Sequence, residues 1–245
     1  GVTVKFDSGK VLEVEGTLVA RGTSSDQITF TSSAASPAAG DWGYIKFKDS
    51  SSDATFDGNG DYASGSILEY CSVFYGGGVG NIESVGAVLS DNAAPFITKS
   101  TFEYSVSWAV YLIPEVAFKF TDNTVDSNAV KIGDGIAYPI SASAGTTSTI
   151  SGNTITNNGV SGTNAGPLRV TVTSPGMTIY ITDNTITGNY GYDVGGIGAS
   201  LRGTGSNMVI SQNEITNNFG RGISISNTHV TNSTVTITDN LIKGN

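Results

Sequence analysis

The nine-residue stretch Ile150-Ser-Gly-Asn-Thr-Ile-Thr-Asn-Asn158 decides the architecture, because the sequence returns to it again and again. Each copy has an apolar residue, then Asn three positions later, a second apolar residue, and a second Asn. One earlier and three later copies begin at Phe120, Ile181, Ile210 and Ile237. Self-similarity of this kind predicts a repeat architecture, with one structural unit for each copy.

The first Asn of the motif returns at a nearly constant interval. Cys71 and Ser100 hold this position in two degenerate early copies. The full series is 71, 100, 123, 153, 184, 213 and 240, with spacings of 29, 23, 30, 31, 29 and 27. Such a period, made of short strand-like units, indicates a solenoid with one repeat per turn.

The spacing within the motif predicts its local structure. Its two apolar residues are five positions apart, which does not fit an amphipathic helix; we interpret it as a strand, a sharp bend at the Asn, and a second strand. Asn suits a bend because it tolerates the left-handed backbone region. Coils stacked about 4.8 Å apart would align equivalent amides, which can then hydrogen-bond along the stack. The sequence thus predicts two internal ladders, Asn123, Asn153, Asn184, Asn213, Asn240 and Asn128, Asn158, Asn189, Asn218, Asn245.

A third strand follows each motif at a variable distance. Parallel crossovers are right-handed in nearly all cases. The prediction is therefore an all-β chain, a single-stranded right-handed parallel β-helix of about eight to ten coils. Residues 1–66 form N-terminal coils without the Asn motif, residues 67–245 form Asn-anchored coils, and all belong to one domain. Because Gly1–Phe6 already alternates like a strand and Leu241–Asn245 stop in the middle of the repeated pattern, we interpret the chain as a processed product or a piece of a longer one.

Outside the ladder, four stretches carry a family resemblance: Gly16-Thr-Leu-Val-Ala-Arg-Gly22, Gln27-Ile-Thr-Phe-Thr-Ser32, Gly40-Asp-Trp-Gly43 and Gly65-Ser-Ile-Leu-Glu-Tyr-Cys71. With the Asn-anchored coils, they resemble the right-handed parallel β-helix repeats of pectate-lyase-like proteins, of the large secreted prokaryotic surface-protein type. The resemblance covers nearly the whole chain. It implies the fold and an extracellular or cell-surface location, but it selects no function, since β-helices include lyases, hydrolases, esterases, adhesins and stalks.

Charge and hydropathy exclude several partners. Lys and Arg total 12 against 21 Asp and Glu, which gives a net charge of −9. An acidic chain is a poor partner for nucleic acid or an anionic membrane surface. No apolar run approaches the roughly 20 residues that cross a bilayer, so we expect no membrane insertion. The single cysteine, Cys71, falls in the ladder column, where we expect it to be buried and unreactive.

Two enzyme classes can be weighed from the residues. A polygalacturonase-like hydrolase needs two carboxylates across the glycosidic bond; the sequence has no Asp-Asp pair, and its one histidine, His229, stands in Thr228-His-Val. A β-elimination lyase needs a base and a cation for the uronate carboxylate. Its candidates are Lys131, Arg169 and Arg221, which fall in or beside one strand of three coils, and Arg202 nearby. The alternative is that these cations share a face by chance.

Two further groups suggest binding. The candidate rings for stacking on sugars are Trp42, Tyr44, Trp108, Tyr190 and Tyr192, with core packing as the alternative. Asp57, Asn59 and Asp61 alternate like the start of a calcium loop, but Tyr62 and Leu68 stand where Gly and Glu are expected. Ca²⁺ is thus the one candidate ion, a structural turn is the alternative, and no cofactor is required.

These observations favour a non-catalytic, secreted or cell-surface module with a structural or adhesive role that contacts a polysaccharide or surface glycan. The first alternative is a polysaccharide lyase acting on a uronate polymer. The second is a filament or sheath subunit that stacks end to end. Strand edges at the end of the pattern would be satisfied by self-association or by the remainder of a longer chain.

Overall fold

The computed structural model describes residues 1–78, 86–128, 136–140, 145–159, 166–227 and 230–245. In these parts of the chain the regular structure is β-strand, and no helix there is long and apolar enough to span a membrane. Nearly all strands belong to three parallel sheets of nine, eight and eight strands, here named sheets A, B and C.

Strands are numbered in chain order. Sheet A contains β1 (Thr3–Phe6), β4 (Ile28–Ser32), β9 (Cys71–Phe74), β12 (Thr101–Glu103), β15 (Thr124–Asp126), β18 (Thr154–Thr156), β21 (Thr185–Thr187), β24 (Glu214–Thr216) and β27 (Leu241–Lys243). Sheet B contains β2 (Leu12–Val14), β5 (Ile45–Phe47), β10 (Gly86–Ser90), β13 (Trp108–Tyr111), β16 (Ile136–Ile140), β19 (Leu168–Val172), β22 (Tyr190–Leu201) and β25 (Phe219–Asn227). Sheet C contains β3 (Val19–Arg21), β8 (Ile67–Glu69), β11 (Phe96–Thr98), β14 (Lys119–Thr121), β17 (Thr147–Ser151), β20 (Thr178–Thr182), β23 (Asn207–Ser211) and β26 (Thr234–Thr238).

The chain visits sheets A, B and C in turn, so eight complete coils precede β27. The predicted all-β parallel solenoid is confirmed. Among the described residues one hairpin departs from the pattern, formed by antiparallel strands β6 (Thr55–Phe56) and β7 (Tyr62–Ser64). It lies against sheet C, where Phe96 packs edge-on to Phe56 at 5.2 Å and face-to-face with Tyr62 at 6.3 Å.

The core consists of side chains that repeat at the same place in successive coils. On sheet A the buried file is Phe30, Val73, Phe102, Val125, Ile155, Ile186 and Ile215, and on sheet C it is Leu68, Ile97, Phe120, Ile150, Ile181 and Ile210. Each fully buried side chain of this size contributes about 1.5–3 kcal/mol to stability. The two apolar positions of the motif are therefore the residues that hold adjacent sheets together.

Both predicted Asn ladders are present. Asn184 shows the pattern: its Oδ1 accepts from the backbone N–H of Asn153 at 3.0 Å and from Asn153 Nδ2 at 2.8 Å. Its own Nδ2 donates to Ile150 O and to Asn213 Oδ1. The same bonds join the first ladder from Asn123 to Asn240 and the second from Asn128 to Asn245. Every amide is thus satisfied by its neighbours, as buried polar groups must be.

The predicted site of the bend is wrong by one residue. The left-handed backbone belongs to the residue before each ladder position, including Asp122, Asp183 and Asp239 with φ of 58°, 58° and 56°. The ladder Asn does not adopt the left-handed conformation itself. Its side-chain amide points into the coil, and its backbone N–H donates to the Oδ1 of the next ladder Asn. The preceding residue is exposed and makes the turn. Where Gly152 takes this place, a Cβ would lie 2.4 Å from Asp122 Oδ1 of the previous coil.

Cys71 occupies the ladder column as predicted. Its backbone N–H donates to Ser100 Oγ at 3.0 Å, and its Sγ lies 3.4 Å from Ala20 O. The side chain is fully buried, and this burial raises the pKa of the thiol to about 12. The thiolate is therefore negligible at neutral pH, which agrees with an unreactive cysteine.

Candidate functional site

The outer face of sheet A continues around the corner toward sheet B. Along this edge lie Phe74, Tyr75, Glu103, Tyr104 and Asp126, which we call the corner strip. Phe74 is in register with Glu103, and Glu103 with Asp126. The strip therefore spans three successive coils. Beside it the sheet presents a file of hydroxyls in register, formed by Thr101, Thr124, Thr154 and Thr185.

Two tyrosines form the aromatic part of the corner strip. Tyr75 and Tyr104 are the turn residues of their coils, with φ of 64° and 58°. Tyr104 is exposed, whereas Tyr75 is half-buried and packs partly against the core. Their rings stack with centroids 5.2 Å apart and planes 14° apart. Phe74 packs against Tyr75 at 6.3 Å. Tyr104 keeps 40% of its surface exposed, and Ser127, the next residue of this column, is too short to cover a ring.

The turn that carries Tyr104 is anchored from inside. Ser105 follows it in the column of the second ladder; its backbone N–H donates to Asn128 Oδ1 at 2.9 Å, and its hydroxyl donates to Trp108 O at 2.7 Å. Tyr75 is anchored in the same direction, because its backbone N–H donates to Glu103 O at 3.2 Å. Hydrogen bonds to the next coil therefore hold the backbone turns that carry the two rings.

The carboxylates of the strip differ in their surroundings. Asp126 accepts hydrogen bonds from Thr156 Oγ1, Ser127 Oγ and Asn157 Nδ2. Burial raises the pKa of Asp126, but these three donors outweigh it and leave the pKa below its ordinary value. The pKa of Glu103 is raised, first by burial and then by the charge of Asp126. Neither carboxylate has a cation within 4.0 Å among the described residues.

The structure corrects part of the predicted glycan-binding set. Trp42 is fully buried, stacks on Phe6 at 4.4 Å, and donates from Nε1 to Phe74 O at 2.7 Å. Trp108 retains 6% of its surface, and Tyr44 is half-buried. A ring without an exposed face cannot stack on a sugar, so Trp42 is a core residue and Trp108 is nearly one.

One cluster contains residues predicted for two different functions. Tyr190 and Tyr192 are predicted to stack on sugars, and Arg221 is a lyase candidate. Between Tyr190 and Ile197 strand β22 has more residues than β25, so the segment bulges outward. Tyr190 stacks on Phe219 with centroids 4.4 Å apart, and Tyr192 is 68% exposed. Arg221 Nη1 lies 2.8 Å from Asp193 Oδ1. An open cleft of about 790 Å³ is lined by Tyr192, Asp193, Phe219 and Arg221, together with Gly244 and Asn245.

The predicted cationic groove does not form from the described residues. Arg169 pairs with Gly198 in sheet B, whereas Arg221 pairs with Val194. The two arginines therefore lie two coils apart and in different columns. Arg202 follows β22, and its Nε lies 3.3 Å from Ser200 Oγ. Lys131 and His229 lie outside the described residues.

The candidate calcium loop connects β6 and β7. Asp57 Oδ1 accepts from the backbone N–H groups of Asn59 and Asp61, at 2.9 and 3.0 Å. Lys119 Nζ donates to Gly60 O of the same loop and lies 4.1 Å from the centroid of the Phe56 ring. These contacts are those of a structural turn held by a lysine. Within the described ranges no group of three or more His, Cys, Asp or Glu is arranged to hold a metal. Calcium binding stays a prediction.

Tyr75 and Tyr104 are not among the five rings that the sequence predicts for glycan binding. The available signal is their shared offset, because each follows the second apolar residue of a degenerate motif by two positions, after Val73 and Phe102. The shared offset brings the rings together only because β9 pairs with β12 in a register that places Val73 opposite Phe102. The two rings then stack.

Comparison with known proteins identifies the class. Residues 169–245, from β19 to β27, match the family model described as a right handed beta helix region. No curated protein and no solved structure matched the chain. With its three parallel sheets and its Asn ladders, the chain has the fold of a parallel β-helix, and residues 169–245, less than half of its length, are similar to the right-handed β-helix family.

Proposed function

We propose that this chain is a secreted or cell-surface β-helix module that holds a polysaccharide on the corner strip, in a structural or adhesive role. The observation that carries the proposal is the Tyr75–Tyr104 stack, with Tyr104 40% exposed on a turn anchored by the second ladder. An aromatic ring offers an apolar face to the C–H groups of a pyranose and a hydroxyl to its polar edge.

The surroundings of the stack suit an extended glycan. The file of threonine hydroxyls beside the strip can both donate to and accept from sugar hydroxyls. Successive coils repeat these groups about every 4.8 Å, so a chain lying along the axis would meet equivalent partners several times. Because the ladders already fix the strip, binding requires little ordering of the protein.

The lyase alternative finds less support in the described residues. Its mechanism needs cations that converge on one uronate carboxylate. Arg169 and Arg221 stand in different columns, and Arg221 is paired with Asp193. We therefore do not advance it as a second function.

The proposal is tested by measuring binding to a panel of soluble polysaccharides with the wild-type chain and two variants. Tyr104→Ala removes the exposed ring of the strip. Tyr180→Ala is the matched control, because Tyr180 is also 40% exposed but lies on sheet C, away from the stack. Truncating a central aromatic contact costs at least about tenfold in affinity, so we expect that loss for Tyr104→Ala alone.

Two outcomes would overturn the proposal. One is that the wild-type chain binds no member of the panel. The other is that both tyrosine variants bind as the wild type does. A circular dichroism spectrum that is unchanged by either substitution ensures that a loss of binding reflects the missing ring.

A further inference from the structure

The two carboxylates of the corner strip are placed together by the register of the sheet. Glu103 on β12 pairs with Asp126 on β15. Neighbouring strands lie about 4.8 Å apart, so both carboxylates belong to adjacent coils on the same outer face. The buried residue of each strand lies between the outward pair, Phe102 in β12 and Val125 in β15. Two negative charges at this distance repel each other unless something positive lies between them.

Asp126 is fixed as an anion by its neighbours. Three side-chain donors, from Ser127, Thr156 and Asn157, hold its two oxygens. All three donors are uncharged, so they orient the carboxylate without neutralising it. The negative charge therefore stays on the surface of the strip.

Glu103 is the less satisfied member of the pair. It is half-buried, yet no side-chain hydrogen bond and no cation within 4.0 Å is found for its carboxylate among the described residues. Glu69, an outward carboxylate of sheet C, is by contrast paired with Arg21 and Lys99. Glu103 is held between Phe74 on one side and Asp126 on the other.

Aromatic rings complete the surface around the carboxylates. Phe74 is in register with Glu103, and Tyr104 of the Tyr75–Tyr104 stack is the next residue after Glu103 in the chain. A cation is attracted to the face of an aromatic ring, and an ammonium group also makes charge-assisted hydrogen bonds to carboxylates. An anionic ligand would meet two carboxylates and a chain of net charge −9.

From this arrangement we infer that the glycan of the corner strip bears protonated amino groups, so that an amino-sugar polymer is preferred to a neutral or uronate polymer. The inference rests on the proposed function. A pyranose stacked on Tyr104 places its substituents near Glu103, which is the adjacent residue in the chain. An ammonium substituent there would satisfy Glu103 and relieve its repulsion with Asp126.

Matched oligosaccharides test the inference. Linear glucosamine oligomers, their fully N-acetylated counterparts and oligogalacturonates of the same length are titrated into the chain by calorimetry. Glu103→Gln keeps the shape of the side chain and removes its charge. Glu214→Gln is the control, because Glu214 is an exposed outward carboxylate of the same sheet, four coils away and next to Thr185.

We expect the glucosamine oligomers to bind best, and their affinity to fall with added salt. A charge-assisted hydrogen bond accounts for about tenfold or more in affinity, so Glu103→Gln should weaken glucosamine binding by that factor. The same variant should leave binding of the N-acetylated oligomers unchanged, and Glu214→Gln should have little effect on either.

The outcomes separate this inference from the proposed function. If the N-acetylated oligomers bind as well as the glucosamine oligomers, or Glu103→Gln has no more effect than Glu214→Gln, the amino-sugar preference is overturned while glycan binding stands. If Tyr104→Ala also leaves every affinity unchanged, the proposed function falls with it. Preferred binding of oligogalacturonates would overturn the charge argument outright.

Discussion

Up to Ser105 the ladder positions hold Cys71, Gly76, Ser100 and Ser105, whereas from Asn123 onward the described ladder positions all hold Asn. The two regions share the same three sheets but are joined along the axis in different ways. The hydroxyl of Ser100 accepts from Cys71 N–H and donates to Thr98 O. It makes no bond toward the following coil; that link comes from Asn123 Oδ1.

The interiors of the two regions differ as well. The largest fully buried side chains are concentrated in the early coils, and include Trp42, Phe47, Phe102, Phe118 and Phe120. The later coils are filled by aliphatic files such as Ile150, Ile181 and Ile210. The comparison indicates two ways to hold coils in register: irregular aromatic packing, or a repeated amide bonded on both sides. Substitutions in each region and at their boundary measure how far the two are equivalent.

The largest effect is expected for Asn184→Ala, which interrupts the first ladder at its middle. Asn153 N–H loses its acceptor and Ile150 O loses its donor, and both groups are buried. Each buried group left unsatisfied costs about 1–3 kcal/mol, so we expect the free energy of unfolding to fall by about 2–6 kcal/mol. Urea unfolding followed by circular dichroism measures it.

The control for this experiment is Asn207→Ala, because Asn207 is exposed and lies outside the ladders. If both alanine variants lose the same small amount, the ladder contributes little to stability, and apolar packing alone holds the later coils.

A smaller effect is expected in the early region for Ser100→Ala. One hydroxyl is removed and Cys71 N–H loses its acceptor, so the loss should be about 1–3 kcal/mol. The companion variant Ser100→Asn extends the amide ladder by one coil, with Leu68 O in reach of the new donor as it is of Ser100 Oγ. We expect it to be at least as stable as the wild type. A loss equal to that of Ser100→Ala would show that the aromatic coils exclude the amide.

The smallest effect concerns the boundary of the two regions, where Glu103 and Asp126 face each other. Because the folded-state pKa of Glu103 is raised, its contribution to stability is complete at low pH and is lost as pH rises through that pKa. Asp126 has a lowered pKa, so its contribution is present at neutral pH and is lost as pH falls through that pKa.

Glu103→Gln should therefore be more stable than the wild type at neutral pH, with the difference vanishing in acid. Asp126→Asn should show the opposite trend. Thermal unfolding midpoints recorded from acid to neutral pH distinguish the two. Parallel pH profiles for all three chains would mean that folding shifts neither pKa, contrary to the expected directions.

The periodic part of the structure could be predicted from sequence because each ladder Asn has the same neighbours in every coil. A repeated Asn with Ile on both sides of the bend leaves one geometry that buries the Ile and satisfies the amide. The placement of the bend could not be predicted, because Asp122 and Asn123 are both residues that tolerate left-handed backbone. Only the inward direction of the Asn123 amide decides between them.

The candidate site depended on information that the motif does not carry. Trp42 and Tyr104 are both aromatic residues in degenerate coils, and their opposite burial follows from which side of the coil each occupies. The pairing of Glu103 with Asp126 requires the register across a spacing of 23 residues, the shortest in the series. Where the period is irregular, side chains that meet across coils are set by three-dimensional packing, not by local pattern.

Each ladder amide bonds to the ladder amides of the coils before and after it. The chain can therefore become longer or shorter without breaking these bonds only by whole coils. Asn153 and Asn184 are 31 residues apart, so excising residues 154–184 would bring Asn153 onto Asn213 with every remaining amide still matched. Removing a single residue from a motif would instead rotate the next amide out of line. Such a chain can grow or shrink over evolutionary time by duplicating or losing entire turns.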